Sequence, residues 1–158
     1  MSPPVILLLS GPNPALLAKR RPDVLGPSGL AERLARAEAA AERLGLGLEH
    51  LQSEHEGDLV LAVRRARGRA AAIVVDAGAL RRYGWALHDE LATFAGPVVE
   101  LQPTSPDTRP PSRRGSVLAP VCDGTVAGFG AAGYELGVEA AARLLHSPAP
   151  APARGRRS

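Results

Sequence analysis

A chain of 158 residues suits one domain and can bury a full core, and its 45% hydrophobic and 22% charged content is ordinary for a globular protein. Aromatics at 3% argue against a stacking platform for nucleic acid, and the single cysteine, Cys122, excludes an internal disulfide and any cysteine-cluster metal site. The formal net charge of +3 is matched by Arg154, Arg156 and Arg157 alone, so the positive balance owes much to a tail rather than to a basic face.

The elements alternate along the chain. Val5 to Ser10 is a short apolar run bounded by Gly11-Pro12, the pattern of a buried strand. It is too short for a signal peptide or a membrane span, so a cytoplasmic protein is expected. Asn13, the only asparagine, follows at the strand's carboxyl end, where open α/β sheets bind small ligands. Leu17 to Gly26 carries Lys19, Arg20 and Arg21 and reads as a mobile basic lid. Ser28 to Leu44 is a helix with Leu30, Leu34, Ala37, Ala41 and Leu44 on one stripe and Ser28 as its N-cap. Leu48 to Gln52 is a second strand and Glu56 to Arg67 a second helix, with Leu59, Val60 and Val63 inward. Ala71 to Val75 is wholly apolar, as a central parallel strand should be. Trp85 to Phe94 is helical, Pro97 to Leu101 and Gly124 to Phe129 are strands, and Ala131 to Leu145 is the last helix. This alternation predicts an α/β fold with a parallel, doubly wound sheet over residues 1–146. Residues 147–158, rich in Pro, Ala and Arg, are expected to be a disordered tail.

On that scaffold Asn13, Ser53, Glu54, Asp76 and Gln102 all fall at carboxyl ends of strands and share one edge of the sheet, the expected ligand crevice. The long polar loop from Pro103 to Gly115 brings Arg113 and Arg114 towards it. Arginines and amides suit a small, oxygen-rich anion. Each residue also has a structural reading. Asn13 either meets a ligand or caps its turn, Arg20 and Arg113 either grip an anion or are solvated, and Asp76 is either a ligand contact or a cap. Glu54, His55 and Glu56, consecutive at a helix start, read as capping groups before metal ligands. Tyr134 reads as structural and Cys122 as a small buried hydrophobe.

The order of motifs narrows this further. Gly11-Pro12-Asn13, Leu17, Arg20, Pro22 and Gly26 come first, followed by Gln52-Ser53, Glu56-Gly57, Ala77-Gly78, Ala86-Leu87 and Asp89. Val99-Glu100, Arg109, Arg113-Arg114, Ser116, Leu118, Pro120, Gly124, Gly128, Gly130 and Gly133-Tyr134 complete the series. From Val5 to about Leu145 the chain resembles the type II 3-dehydroquinate dehydratases. The resemblance implies a flavodoxin-like three-layer sandwich with sheet order 2-1-3-4-5, no cofactor and no metal, and trimers assembled into a dodecamer.

It also implies a reaction, the trans elimination of water from 3-dehydroquinate. That reaction needs a base beside the ketone, donors for the enolate and an acid for the departing hydroxyl. The arginine that keeps the family's base ionised corresponds to Arg20, and Asn13 is retained with Glu100. The tyrosine base itself falls on Leu25 and the histidine acid on Gln102, neither of which can carry out the proton transfer. The binding shell is altered as well. Asp76 stands for an asparagine and, ionised, would repel a substrate carboxylate; Arg82 stands for a histidine. Pro103 has no N–H for that carboxylate, although Thr104 can supply one. Arg113 is retained, as is Asp89, which the family contributes across a subunit contact.

Three classes of function follow. One is a dehydroquinase homologue without catalytic power that keeps fold and assembly, binds a small anionic polyhydroxylated ligand, and stands alone or mixes with an active paralogue. The second is a dehydratase or related lyase with Asp76 or Tyr83 as a rerouted base. The third is an enzyme for another polyhydroxylated or cationic ligand. The first is the expectation; neither nucleic acid nor membrane is an expected partner.

Overall fold

A computed structural model describes residues 1–25 and 29–147. Five strands, β1 (Val5–Ser10), β2 (Gly47–Gln52), β3 (Ala70–Asp76), β4 (Val98–Gln102) and β5 (Gly124–Ala127), form one sheet in the order β2-β1-β3-β4-β5. All pairings are parallel. Helices cover both faces, giving the doubly wound α/β architecture that the alternating pattern predicts, in the flavodoxin-like strand order that the family resemblance implies. The helices are α1 (Pro14–Arg20), α2 (Pro22–Leu25), α3 (Gly29–Arg43), α4 (Glu56–Ala66), α5 (Trp85–Ala92) and α6 (Ala132–His146).

The apolar runs of β1 and β3 are continuous because alternate side chains enter different cores. Leu7, Leu9, Ile73 and Val75 pack with Leu59 and Val63 of α4 and Leu87 and Leu91 of α5. Ile6, Leu8, Ala72 and Val74 pack with Ala37 and Ala41 of α3 and Tyr134 and Val138 of α6. Helix α6 lies close on the sheet because of its glycines. A Cβ at Gly133 would sit 2.8 Å from a Leu101 methyl, and one at Gly137 3.0 Å from a Val74 methyl. Cys122 is buried in the first core, where burial pushes its thiol well above the ordinary range.

The local differences from the sequence reading have physical causes. The segment read as a lid loop forms α1 and α2 as far as Leu25, each opening with a proline at its first turn, where the missing N–H costs nothing. The proposed cap Ser28 lies outside the described residues, as does the tail beyond Ser147. Strand β5 stops at Ala127 rather than Phe129 because Gly128 takes φ +90°. The polar loop after β4 is not structureless; it is wound into 3₁₀ turns at Pro106–Thr108 and Pro111–Arg113. Among the described residues no helix is long and apolar enough to cross a membrane.

Candidate functional site

Sheet register brings the polar strand ends together. Ser10 lies level with Gln52 on one side and Asp76 on the other, and Val75 lies level with Glu100, two residues before Gln102. The turn after β1 is pressed onto the turn after β3. A Cβ at Gly11 would lie 2.3 Å from the Ala77 carbonyl oxygen, so only glycine fits there. Asn13 adopts φ +61°, a conformation asparagine tolerates, and its N–H donates to the Glu54 carboxylate at 3.0 Å. The Gln52 amide donates to both Gly11 O and Glu54 Oε1, so β2 holds the rim of this turn. Glu54 thus anchors the Asn13 turn, while Glu56 accepts the Leu87 N–H at the start of α5. The acids thus brace neighbouring elements rather than cap α4, whose N-cap His55 makes no side-chain capping hydrogen bond.

A cavity of about 410 Å³ opens at this edge. Among the described residues its charged lining comprises seven arginines, Arg20, Arg21, Arg33, Arg81, Arg82, Arg109 and Arg113, and two acids, Asp76 and Glu100. Asn13, Gln102, Pro103 and Thr104 also line it. The structure therefore gathers Asn13, Arg20, Asp76, Arg82, Gln102, Pro103, Thr104 and Arg113 at one place. Asp89 is on α5 and does not line this cavity. Tyr83 ends the 3₁₀ turn Gly78–Arg82, is 56% exposed and is likewise absent from the lining. Leu25 ends α2, and its side chain lies outside the described structure.

Gln102 is held at both ends. Its Oε1 accepts from Arg109 Nη1 at 2.7 Å, and its amide nitrogen donates to Glu100 Oε1 at 3.2 Å. Arg109 also donates through Nη2 to the Thr104 carbonyl at 2.8 Å and through Nε to its hydroxyl at 3.1 Å. It thereby folds the start of the polar loop back onto β4. Burial and the neighbouring Arg81 lower the Arg109 pKa to about 10. Glu100 accepts from the Ser116 hydroxyl at 2.6 Å, and burial pushes its carboxyl above the ordinary value against the pull of Ser116, Arg81 and Gln102. Pro103 is buried, with its carbonyl accepting the Gly130 N–H at 2.9 Å.

Asp76 is set deeper. Tyr134 Oη donates to its Oδ2 at 2.6 Å. Behind Tyr134 lie Ser10 Oγ at 3.3 Å and then His50 Nε2 at 3.0 Å from Ser10, forming one buried polar line. Arg33 is completely buried and its Nη1 stands 3.9 Å from Asp76 Oδ2, an ion pair too long for a hydrogen bond. Burial outweighs Tyr134, Arg33, the Gly78 N–H and Arg81, and pushes the Asp76 carboxyl above its ordinary value. Burial thus works against the Asp76 negative charge while its four neighbours work for it. The same desolvation, with Asp76 alongside, drives the Tyr134 hydroxyl well up, so the phenol stays protonated.

Arg33 and Arg81 are the lining residues that sequence reasoning passed over. Arg33 had a signal: three residues after Leu30 and four before Ala37, it lies on the apolar stripe of α3, an odd place for an arginine without a buried partner. Arg81 sits in a basic pair that reads as surface. In the structure it donates to the Gly78 carbonyl at 3.0 Å and the Arg113 carbonyl at 3.2 Å, tying the two loops together.

Comparison with known proteins places this geometry. Residues 4–142 match the family model for dehydroquinase class II. The chain is 40% identical over 135 residues to the 3-dehydroquinate dehydratase of Bacillus licheniformis, covering 85% of this chain and 93% of the relative. It is 41% identical over 142 residues to that of Thermus thermophilus, covering 89% and 95%. The crystal structure of type II dehydroquinase from Propionibacterium acnes superposes with TM-score 0.81 at 29% identity, covering 88% of this chain and 96% of that one.

Proposed function

The chain belongs to the class II dehydroquinase family, and on that premise we propose that it is a 3-dehydroquinate dehydratase homologue impaired in the family reaction, a pseudoenzyme that keeps the fold and an anion-binding cavity. The observation that carries this is Gln102. It occupies the acid's position with both ends hydrogen-bonded to Arg109 and Glu100, and an amide cannot deliver a proton to a departing hydroxide. Leu25, at the base's position, has no titratable group. General acid and base groups contribute about 10²–10⁴-fold each, so losing both is sufficient to remove useful turnover. Asn13, Arg20 and Arg113 still line the cavity and suit a small, polyhydroxylated anion.

A second reading, an active lyase with a rerouted base, is supported for Asp76 alone. It lines the cavity and its carboxyl is shifted towards the range of a useful base, whereas Tyr83 is exposed and outside the lining. Following enone absorbance with 3-dehydroquinate at high protein concentration separates the two. The impaired reading expects no product above the uncatalysed rate. Robust turnover refutes it, and loss of that turnover in Asp76→Asn identifies the base.

The same reading takes in cytoplasmic location and family-like assembly, trimers within a dodecamer, formed by this chain alone or with an active paralogue. Asp89 on α5, away from the cavity of its own chain, fits a contribution to a neighbouring subunit. Light scattering after size exclusion tests this, and a clean monomer at micromolar concentration overturns the assembly.

A further inference from the structure

We propose that the cavity takes a small ligand bearing at least two negative charges, a phosphomonoester or a polycarboxylate, in preference to a monocarboxylate. This rests on the cavity being the ligand site, as in the preceding section. The lining sets seven guanidinium groups against two carboxyls. The two carboxyls offset part of that charge, since both favour the charged forms of Arg81 and Arg109, but seven guanidinium groups outnumber them. Glu100 is engaged by Ser116 and Gln102, and among the described residues no arginine stands within ion-pair distance of it. Asp76 has Arg33 at 3.9 Å, without a hydrogen bond.

Arg33 is a built, rigid cation. Its Nε donates to Gly29 O and its Nη2 to Pro14 O, both at 3.1 Å. The remaining Nη1 is buried with no hydrogen-bond partner. Arg33 is 0% exposed, lines the cavity and stacks its guanidinium 5.3 Å from the centre of the Tyr134 ring. Among the described residues the only acid facing this buried nitrogen is Asp76, at 3.9 Å and without a hydrogen bond, so a nearby anion would further stabilise the guanidinium. Around it burial works against the charges on Arg81 and Arg109, Glu100 and Asp76 favour them, and the neighbouring arginines, Arg82 and Arg113 on Arg81 and Arg81 on Arg109, oppose them. A single carboxylate offers two oxygens and one charge. A phosphate ester or a second carboxylate supplies further acceptors in the planar geometry that guanidinium forks match.

Isothermal titration calorimetry on the full chain tests this at pH 7.5, where a phosphate ester is close to doubly charged. The probes are quinate, citrate and 3-phosphoglycerate at fixed ionic strength. Citrate or 3-phosphoglycerate should bind at least about tenfold more tightly than quinate, because the additional charge meets a cationic surplus inside a partly desolvated site. A lead for either polyanion supports the proposal, and a lead for 3-phosphoglycerate over citrate shows that the phosphate group adds to recognition. The advantage should fall to within about threefold of quinate in Arg33→Met and in Arg82→Gln. The second variant is at an exposed position and keeps the test decisive if the first does not fold. Equal binding of quinate, no binding of either polyanion at millimolar concentration, or an advantage that survives in Arg82→Gln and in folded Arg33→Met overturns the proposal. Turnover of 3-dehydroquinate is scored separately. Its appearance would sink the impaired-enzyme reading while leaving the charge preference to the calorimetry.

Discussion

Restoring the two missing proton-transfer groups, Leu25→Tyr with Gln102→His, measures how far this cavity has departed from its family's substrate. The new histidine would stand beside Glu100, and the tyrosine would return to the end of α2. What the pair cannot restore is the backbone donor removed by Pro103, which lines the cavity between Gln102 and Thr104. A hydrogen bond to a charged group contributes about 1.5–3 kcal/mol, so its absence lowers kcat/KM by roughly 10- to 150-fold. The double variant should therefore dehydrate 3-dehydroquinate measurably, yet fall short of the Thermus thermophilus relative by about that factor. Adding Pro103→Ala should recover most of the gap. Adding Asp76→Asn should give a smaller gain than Pro103→Ala, because burial works against the negative charge on that carboxyl. The assay is enone absorbance, with circular dichroism confirming that each variant is folded. If the double variant equals that relative, or if Asp76→Asn contributes more than Pro103→Ala, the account of the cavity is wrong.

Changes of pH, of an anchoring arginine and of a tight turn should have effects of their own. The folded values of Asp76 and Glu100 lie above their ordinary 3.8 and 4.5, so the folded state holds extra protons in that window and stability falls as pH rises from about 4 through the raised values. Difference curves from urea titrations of Asp76→Asn and Glu100→Gln against the parent should remove that fall; parallel curves would contradict it. Arg109→Met should loosen the loop after β4 by at least about 1.5 kcal/mol, seen as roughly tenfold faster amide exchange across residues 103–110, with unchanged exchange refuting its anchoring role. Gly11→Ala places a Cβ 2.3 Å from the Ala77 carbonyl and should cost about 1–3 kcal/mol in chemical denaturation; a neutral change would show that the two turns can separate.

The strands and long helices were legible because their apolar spacing follows directly from burial on two faces. The runs of β1 and β3 feed both cores, and the stripe of α3 faces one. The first helices were not. The run of Lys19, Arg20 and Arg21 was read as a basic lid, although Pro14 and Pro22 stand at first helical turns, where proline starts a helix as readily as it ends one. At the site, position along a strand was enough to find Asn13, Asp76 and Gln102. Their neighbours were hidden by residue type. Arginine on an inward stripe looks like an error in the stripe, and Arg33 becomes a lining group only when α3 is packed against α6 and its Tyr134. Asp89 has the family spacing, but no rule of spacing says whose cavity a helical carboxylate faces.

The line from His50 to Asp76 has one further property, a direction. Tyr134 spends its single hydroxyl proton on Asp76, so its oxygen is left to receive from Ser10. With Asp76 ionised, a Ser10 that donates to Tyr134 has no proton for the imidazole, and Nε2 of His50 then carries the hydrogen between them. Burial lowers the His50 pKa, which keeps the ring neutral over a wider pH range and makes the choice of nitrogen meaningful. The tautomer of a ring on β2 is thus dictated by a carboxyl two strands away, and nitrogen chemical shifts of His50 would report on what that carboxyl is doing inside the cavity.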